Sequence, residues 1–196
     1  MVKVTRGMAA IGLAVLAVAL GFAAVVIFLE RGSGERVGGV PDIGGPFALV
    51  DHGGRAVTHD SWPGQHLLIY FGYSFCPDVC PTELQIMSVA LDELGSDAAQ
   101  VQPLFITVDP ERDTVAAMAD YVAAFHPRLV GLTGSDEQIR AAAKVYRVFF
   151  ARGEGEDYLV DHSSFVYLMS PEGRLLTYFP PASDPATMAD RIAELL

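Results

Sequence analysis

Hydrophobic positions along this chain fall into three regimes: one unbroken apolar run, a stretch with almost none, and a regular succession of short runs and helical stripes. Met8 to Leu29 is 22 residues without a charge. At a helical rise of ~1.5 Å per residue it spans roughly 33 Å, enough to cross the hydrocarbon core of a bilayer. Lys3 and Arg6 precede it and Glu30-Arg31 follow it, so the positive-inside rule leaves a short cytoplasmic tip and exports the rest. A cleaved signal peptide has a shorter apolar core ending in a small-x-small site, whereas this run ends Val-Val-Ile-Phe-Leu. Residues 1–31 are therefore expected to be a cytoplasmic tip and a retained membrane anchor. Residues 32–46 hold six glycines and two prolines, which cannot bury a core and predict a linker.

From residue 47 the pattern is that of one folded domain. Phe47–Val50 and Arg55–Thr58 alternate about the turn Asp51-His-Gly-Gly54 and predict a hairpin. His66–Tyr73 is apolar enough for a buried strand, and Leu84, Met87, Leu91 and Leu94 then recur at helical spacing. Val101–Val108 predicts a strand, followed by the charged loop Asp109-Pro-Glu-Arg-Asp113 and a helix to about Phe125. A short strand is expected near Leu129–Leu132. The next helix is expected over Ser135–Tyr146, with Ser135 and Gln138 forming a capping box. Phe165–Met169 and Arg174–Phe179 predict a hairpin across Ser170-Pro-Glu-Gly173, and a last helix is capped by Ser183 or Asp184. Strands alternating with helices, then a hairpin and a closing helix, describe a three-layer α/β domain over residues 47–196.

Charge narrows the partners. Three of the 13 basic residues and one of the 24 acidic ones precede residue 32, leaving a formal net charge of −13 on the exported part. Such a surface repels nucleic acid and anionic lipid and tolerates a basic partner or a metal cation.

The two cysteines lie together in Tyr70-Phe-Gly-Tyr-Ser-Phe-Cys-Pro-Asp-Val-Cys-Pro-Thr-Glu-Leu84, where a strand hands over to a helix. Cys76 and Cys80 each precede a proline, which disfavours helical backbone at both and predicts a tight loop. Pro81 suits a first helical position, which makes Cys80 the expected cap and aims unpaired N–H groups at the loop. That environment favours thiolate. In an exported domain two cysteines form a structural disulfide by default, yet a bridge closing so small a ring stabilises little. Thiol exchange and soft-metal binding stand beside it. His162, in Val160-Asp-His-Ser163 just before a predicted strand, would complete a set of two thiolates and an imidazole that suits Cu(I) and accepts Cu(II), whereas zinc takes a fourth ligand. Asp161 is a candidate acceptor orienting that ring. His52, His59, His66 and His126 read as surface or capping residues, Asp78 as a solvated turn residue, and 109–113 as a charged loop with docking potential.

The cysteine string, Val108-Asp-Pro-Glu-Arg-Asp-Thr114, Gly131-Leu-Thr-Gly134, Val160-Asp-His-Ser163 and Gly44-Gly-Pro-Phe47 together resemble the Sco/SenC family over nearly all of residues 43–180. One departure is Val115, where the family usually has proline. The resemblance implies a membrane-anchored, thioredoxin-like copper protein that serves assembly of the copper A centre of cytochrome c oxidase, with Cys76, Cys80 and His162 as copper ligands. It also implies an oxidase subunit as partner and an upstream copper donor or thiol reductant. The alternative is a thiol-disulfide reductase, with Cys76 and Cys80 as its redox pair, that keeps the oxidase cysteines reduced. A thiol oxidoreductase of this fold typically has C-x-x-C and a facing proline, and this chain has neither. A peroxidase is disfavoured by the missing Thr-x-x-Cys. The N-terminus enters the apolar run almost directly, without the Arg-rich amphipathic stretch of a mitochondrial import sequence. The expected location is therefore a bacterial inner membrane with the domain in the periplasm, rather than the mitochondrial inner membrane.

Overall fold

A computed structural model describes residues 43–155 and 157–196. The expected anchor at 8–29 and linker residues 32–42 lie outside the described residues. Among the described residues no helix is long and apolar enough to cross a membrane.

The predicted hairpin is present as β1 (Ala48–Asp51) and β2 (Ala56–Thr58), paired antiparallel. The apolar run before the cysteines is β3 (His66–Gly72), every residue of which is buried. It leads to α1 (Val79–Glu93), then β4 (Val101–Thr107), α2 (Val115–Val122), β5 (Val130–Thr133) and α3 (Asp136–Val145). Two three-residue strands follow, β6 (Phe150–Arg152) and β7 (Val160–His162). The chain closes with β8 (Val166–Met169), β9 (Leu175–Phe179) and α4 (Pro185–Ala193). Three helix starts follow the sequence, whereas α2, expected to run to about Phe125, ends at Val122. Ser135 and Gln138 form the capping box, Thr114 caps α2, and Asp184 caps α4 with Pro185 behind it. Val115 thus starts α2 without a proline.

Seven strands make one mixed sheet in the order β2-β1-β5-β4-β3-β8-β9, and β6 and β7 form a separate ribbon. β3 pairs parallel with β4 and antiparallel with β8, so it is covered on both edges and both faces. That environment requires a near-continuous apolar strand. Period-two alternation sends successive rings of β3 to opposite layers. Tyr70 stacks on Phe105, which meets Tyr121 of α2, while Phe71 packs against Tyr146, after α3, and Tyr167. Burying side chains of this size contributes ~1.5–3 kcal/mol each. The core therefore fixes β3, and with it the chain that leaves its C-terminal end.

The register also decides what lies over that end. Tyr70 pairs with Val166, and β8 runs antiparallel to β3. Residues before Val166 therefore continue past the end of β3, where the cysteine segment begins.

Candidate metal centre

The chain leaves β3 at Gly72 and turns through residues 73–78 into α1. Gly72 leaves room for a thiol: a Cβ there would lie 2.8 Å from Cys80 Sγ and 2.9 Å from Phe105. Cys76 sits in the loop, its N–H donating to the Tyr73 carbonyl at 3.3 Å. Cys80 is inside the helix, and its N–H donates to Cys76 Sγ at 3.4 Å. A free N–H of the first helical turn is thus satisfied by sulfur.

The residue preceding α1 is Asp78, and Cys80 and Pro81 lie within the first turn rather than forming its cap. The proline is tolerated because the N–H it lacks would have had no partner within the helix at that position. The expected thiolate at Cys80 is also overturned. Cys80 is completely buried, and burial, abetted by nearby Cys76, pushes its thiol up to about 12 against hydrogen bonding from the Tyr73 backbone. Loss of solvation outweighs the helix terminus.

His162 arrives on the ribbon. Phe150 pairs with His162, the Ser163 N–H donates to the Phe149 carbonyl at 2.9 Å, and the Phe149 N–H donates to Ser163 Oγ at 3.1 Å. The ring Nδ1 lies 3.0 Å from the Ser163 carbonyl. A carbonyl only accepts, so Nδ1 carries the hydrogen and Nε2 presents its lone pair. That nitrogen lies 3.4 Å from Cys80 Sγ. The rings of Tyr70 and Tyr73 meet the imidazole at 6.2 and 5.9 Å, steeply inclined to it. Burial lowers the imidazole pKa, against the Ser163 carbonyl and the Asp161 charge. The orienting acceptor is therefore Ser163 rather than Asp161, whose side chain is exposed.

Cys80 and His162, expected to converge, do so. Cys76 stands beside Cys80 through its sulfur's bond to the Cys80 amide. Among the described residues, no three His, Cys, Asp or Glu side chains already surround one point as a closed ligand set. What the site offers is two sulfurs and an imidazole lone pair beside the rings of Tyr70 and Tyr73, a soft donor set that matches copper in chemistry.

The Val108–Thr114 motif has a role its charges conceal. Asp109 and Asp113 are both fully buried, while Glu111 between them stays exposed. Asp113 accepts from the Ser74 N–H at 3.1 Å, from the Ser74 hydroxyl and from the Thr107 hydroxyl at 2.5 Å. Burial raises its carboxyl pKa against these bonds. It pins the cysteine loop two residues before Cys76. Asp109 accepts from the Tyr158 hydroxyl at 2.8 Å, from Arg152 at 3.2 Å and from Arg112 Nε. Both carboxylates were legible as a motif; the adjacency of the β3 and β4 C-terminal ends is what turns them inward. The remaining histidines serve local structure: His52 Nδ1 accepts the Gly131 N–H and His126 Nδ1 the Arg128 N–H. His66 is buried in β3 rather than at the surface.

A family model described as SCO1/SenC matches residues 36–196. The bovine mitochondrial protein SCO2 homolog is 48% identical over 153 residues, covering 76% of this chain. The human mitochondrial SCO1 homolog is 47% identical over 164 residues, covering 81%. The matched regions take in only 58% and 54% of those two proteins. Among solved structures, Arabidopsis thaliana ScoI with copper bound aligns with a TM-score of 0.74 and 43% identity over 78% of this chain and 96% of its own. BsSco, described as a member of the Sco family of cytochrome c oxidase assembly proteins and as containing a disulfide switch, aligns with a TM-score of 0.65 and 25% identity over 79% and 92%. The mixed sheet flanked by helices is the thioredoxin-like fold of these Sco structures. With the sheet, the cysteine turn and the whole of the folded domain matched, the chain belongs to the SCO1/SenC family.

Proposed function

We propose that this protein is a copper chaperone that binds one copper ion through Cys76, Cys80 and His162 and passes it to the copper A centre of a cytochrome c oxidase subunit. The observation that carries this reading is the His162 Nε2 lone pair facing Cys80 Sγ at 3.4 Å across 82 positions of sequence. A half-buried neutral imidazole whose lone pair faces a fully buried thiol has a clear ligand chemistry. Copper-bound relatives supply the identity of the ion, and the Sco family's description as oxidase assembly proteins supplies the acceptor.

The chain's own residues account for capture and release. His162 is held neutral by burial, so it supplies a lone pair without losing a proton. Cys80 gives up its proton as copper replaces it, which makes affinity rise with pH. Turning the Cys76 side chain from the Cys80 amide toward His162 would close the set. Release follows when incoming thiolates of the acceptor replace these donors one at a time. Exchange with a partner disulfide, whose S–S bond is broken and reduced to two thiols as the bond between Cys76 and Cys80 forms, removes both thiolate ligands and frees the ion. The proposed setting is a bacterial inner membrane, with residues 8–29 as anchor, 32–46 as linker and 47–196 as the periplasmic domain.

A thiol-disulfide reductase is the second reading, favoured by one observation: Cys76, the less buried sulfur, accepts the Cys80 amide hydrogen at the start of a helix. The two separate on His162. Copper stoichiometry and ultraviolet-visible spectra of the full chain, wild type against His162→Ala and Cys76→Ala, test this. The chaperone reading predicts one copper per chain, with the complex strongly weakened in both variants. The reductase reading predicts that His162→Ala leaves thiol exchange largely intact.

A further inference from the structure

Between the cysteine loop and the ribbon lies a group that touches both and belongs to neither. The Arg112 guanidinium is centred 3.8 Å from the Tyr158 ring and 4.7 Å from the Phe75 ring. Phe75 immediately precedes Cys76, and Tyr158 lies four residues before His162. Arg112 Nη1 donates to the Tyr158 carbonyl at 3.0 Å, and Nε is paired with the buried Asp109. Tyr158 in turn donates its hydroxyl to Asp109. The Arg112 side chain is 17% exposed, and its Nη2 is buried without a hydrogen-bond partner. A guanidinium that forgoes one of its bonds is held by its two ring faces and its fixed fork, which lysine cannot reproduce.

We propose that Arg112 is a positioning residue that holds the Cys76 loop and the His162 segment in register, so that sulfur and imidazole close on one ion. This rests on the copper reading above and adds to it the element that sets ligand geometry. Phe75 is 59% exposed, and among the described residues the ribbon has no strand pairing with the main sheet. The loop is pinned at Ser74 by Asp113 and the ribbon at Arg152 by Asp109; Arg112 adds an anchor that both segments share, itself paired with the buried Asp109. Groups that orient ligands in this way change metal affinity by ~10–100-fold when altered.

The test is a competition titration of full-length reduced protein with Cu(I) against a chromophoric chelator. It compares wild type, Arg112→Lys, His162→Ala and the double variant, with melting of each apo form and the Cu(II) thiolate absorption band recorded alongside. Lysine keeps the charge and a pair with Asp109 but loses the stacked plane and the fork. We expect Arg112→Lys to lower Cu(I) affinity ~10–100-fold and to shift the thiolate band. In the His162→Ala background the same change should cost less than about twofold, because the coupled ligand is already gone. A purely structural role would lower melting alone and leave the folded protein's affinity and band unchanged. Tyr158→Leu removes the ring at 3.8 Å while leaving the Arg112–Asp109 pair, and should weaken copper in the same direction; it decides the matter where Arg112→Lys does not fold. Wild-type affinity in both Arg112→Lys and Tyr158→Leu, or an equal loss in both histidine backgrounds, overturns the proposal while leaving the copper reading standing. Unchanged affinity in His162→Ala overturns the copper reading and this proposal with it.

Discussion

Cys80 Sγ and His162 Nε2 lie 3.4 Å apart although the residues are 82 positions apart in sequence. The approach follows from strand register. Val166 pairs with Tyr70, so the segment before β8 passes over the end of β3, and the Ser163 carbonyl holds the ring with its lone pair toward the sulfur.

The thiol pocket tolerates no added carbon at its floor. A methyl group at position 72 would meet Cys80 Sγ at 2.8 Å, Phe105 at 2.9 Å and Tyr70 at 3.0 Å, and all three neighbours are fully buried. Gly72→Ala should destabilise the apo protein by ~1–3 kcal/mol, as overpacking does. Urea unfolding of the two proteins measures it directly, and a midpoint equal to wild type would show that the pocket relaxes without cost.

Asp113 gives a pH signature. Burial raises its carboxyl pKa above the ordinary value, against hydrogen bonds from Ser74 and Thr107. A raised folded-state value means that the native state holds the proton to higher pH than the unfolded chain. The associated stability is present below the unfolded value and is lost as pH rises through the folded one. Asp113→Asn cannot titrate, so the stability of wild type relative to this variant should fall as pH rises from about 4 toward 7. Chemical denaturation across that range checks the sign.

His162 predicts the opposite trend. Burial lowers its pKa, so the unfolded chain takes up a proton near the ordinary histidine value while the folded protein does not. Stability is therefore full above that value and is lost as pH falls toward the lowered folded value. His66 and His126 are lowered by burial as well and add to the same slope. The melting temperature of the apo protein as a function of pH should fall less steeply on the acid side of ~6.5 in His162→Gln than in wild type.

Local chemistry in the sequence located most of the fold. Ser135-Asp-Glu-Gln138 announces a capping box, and the apolar run before Cys76 announces a strand buried on both sides. The ribbon of β6 and β7 was missed for a physical reason. Its strands are three residues each, its connection is Gly- and acid-rich, and its cross-strand pairs carry little apolar patterning. The candidate ligands were visible as residue types, but their meeting depends on register, which a lone sequence does not print. The inward role of Asp109 and Asp113 was hidden for the same reason. Four charges around a proline look solvated until the neighbouring strand ends are known to bury two of them.

The most direct measurement is copper K-edge X-ray absorption on the full chain loaded with one equivalent of Cu(I) under reducing conditions. The account predicts a first shell of two sulfur scatterers and one imidazole nitrogen, with the nitrogen lost in His162→Ala and one sulfur lost in Cys76→Ala. A shell without imidazole nitrogen in the wild type, or one unchanged by removing residue 162, would contradict it.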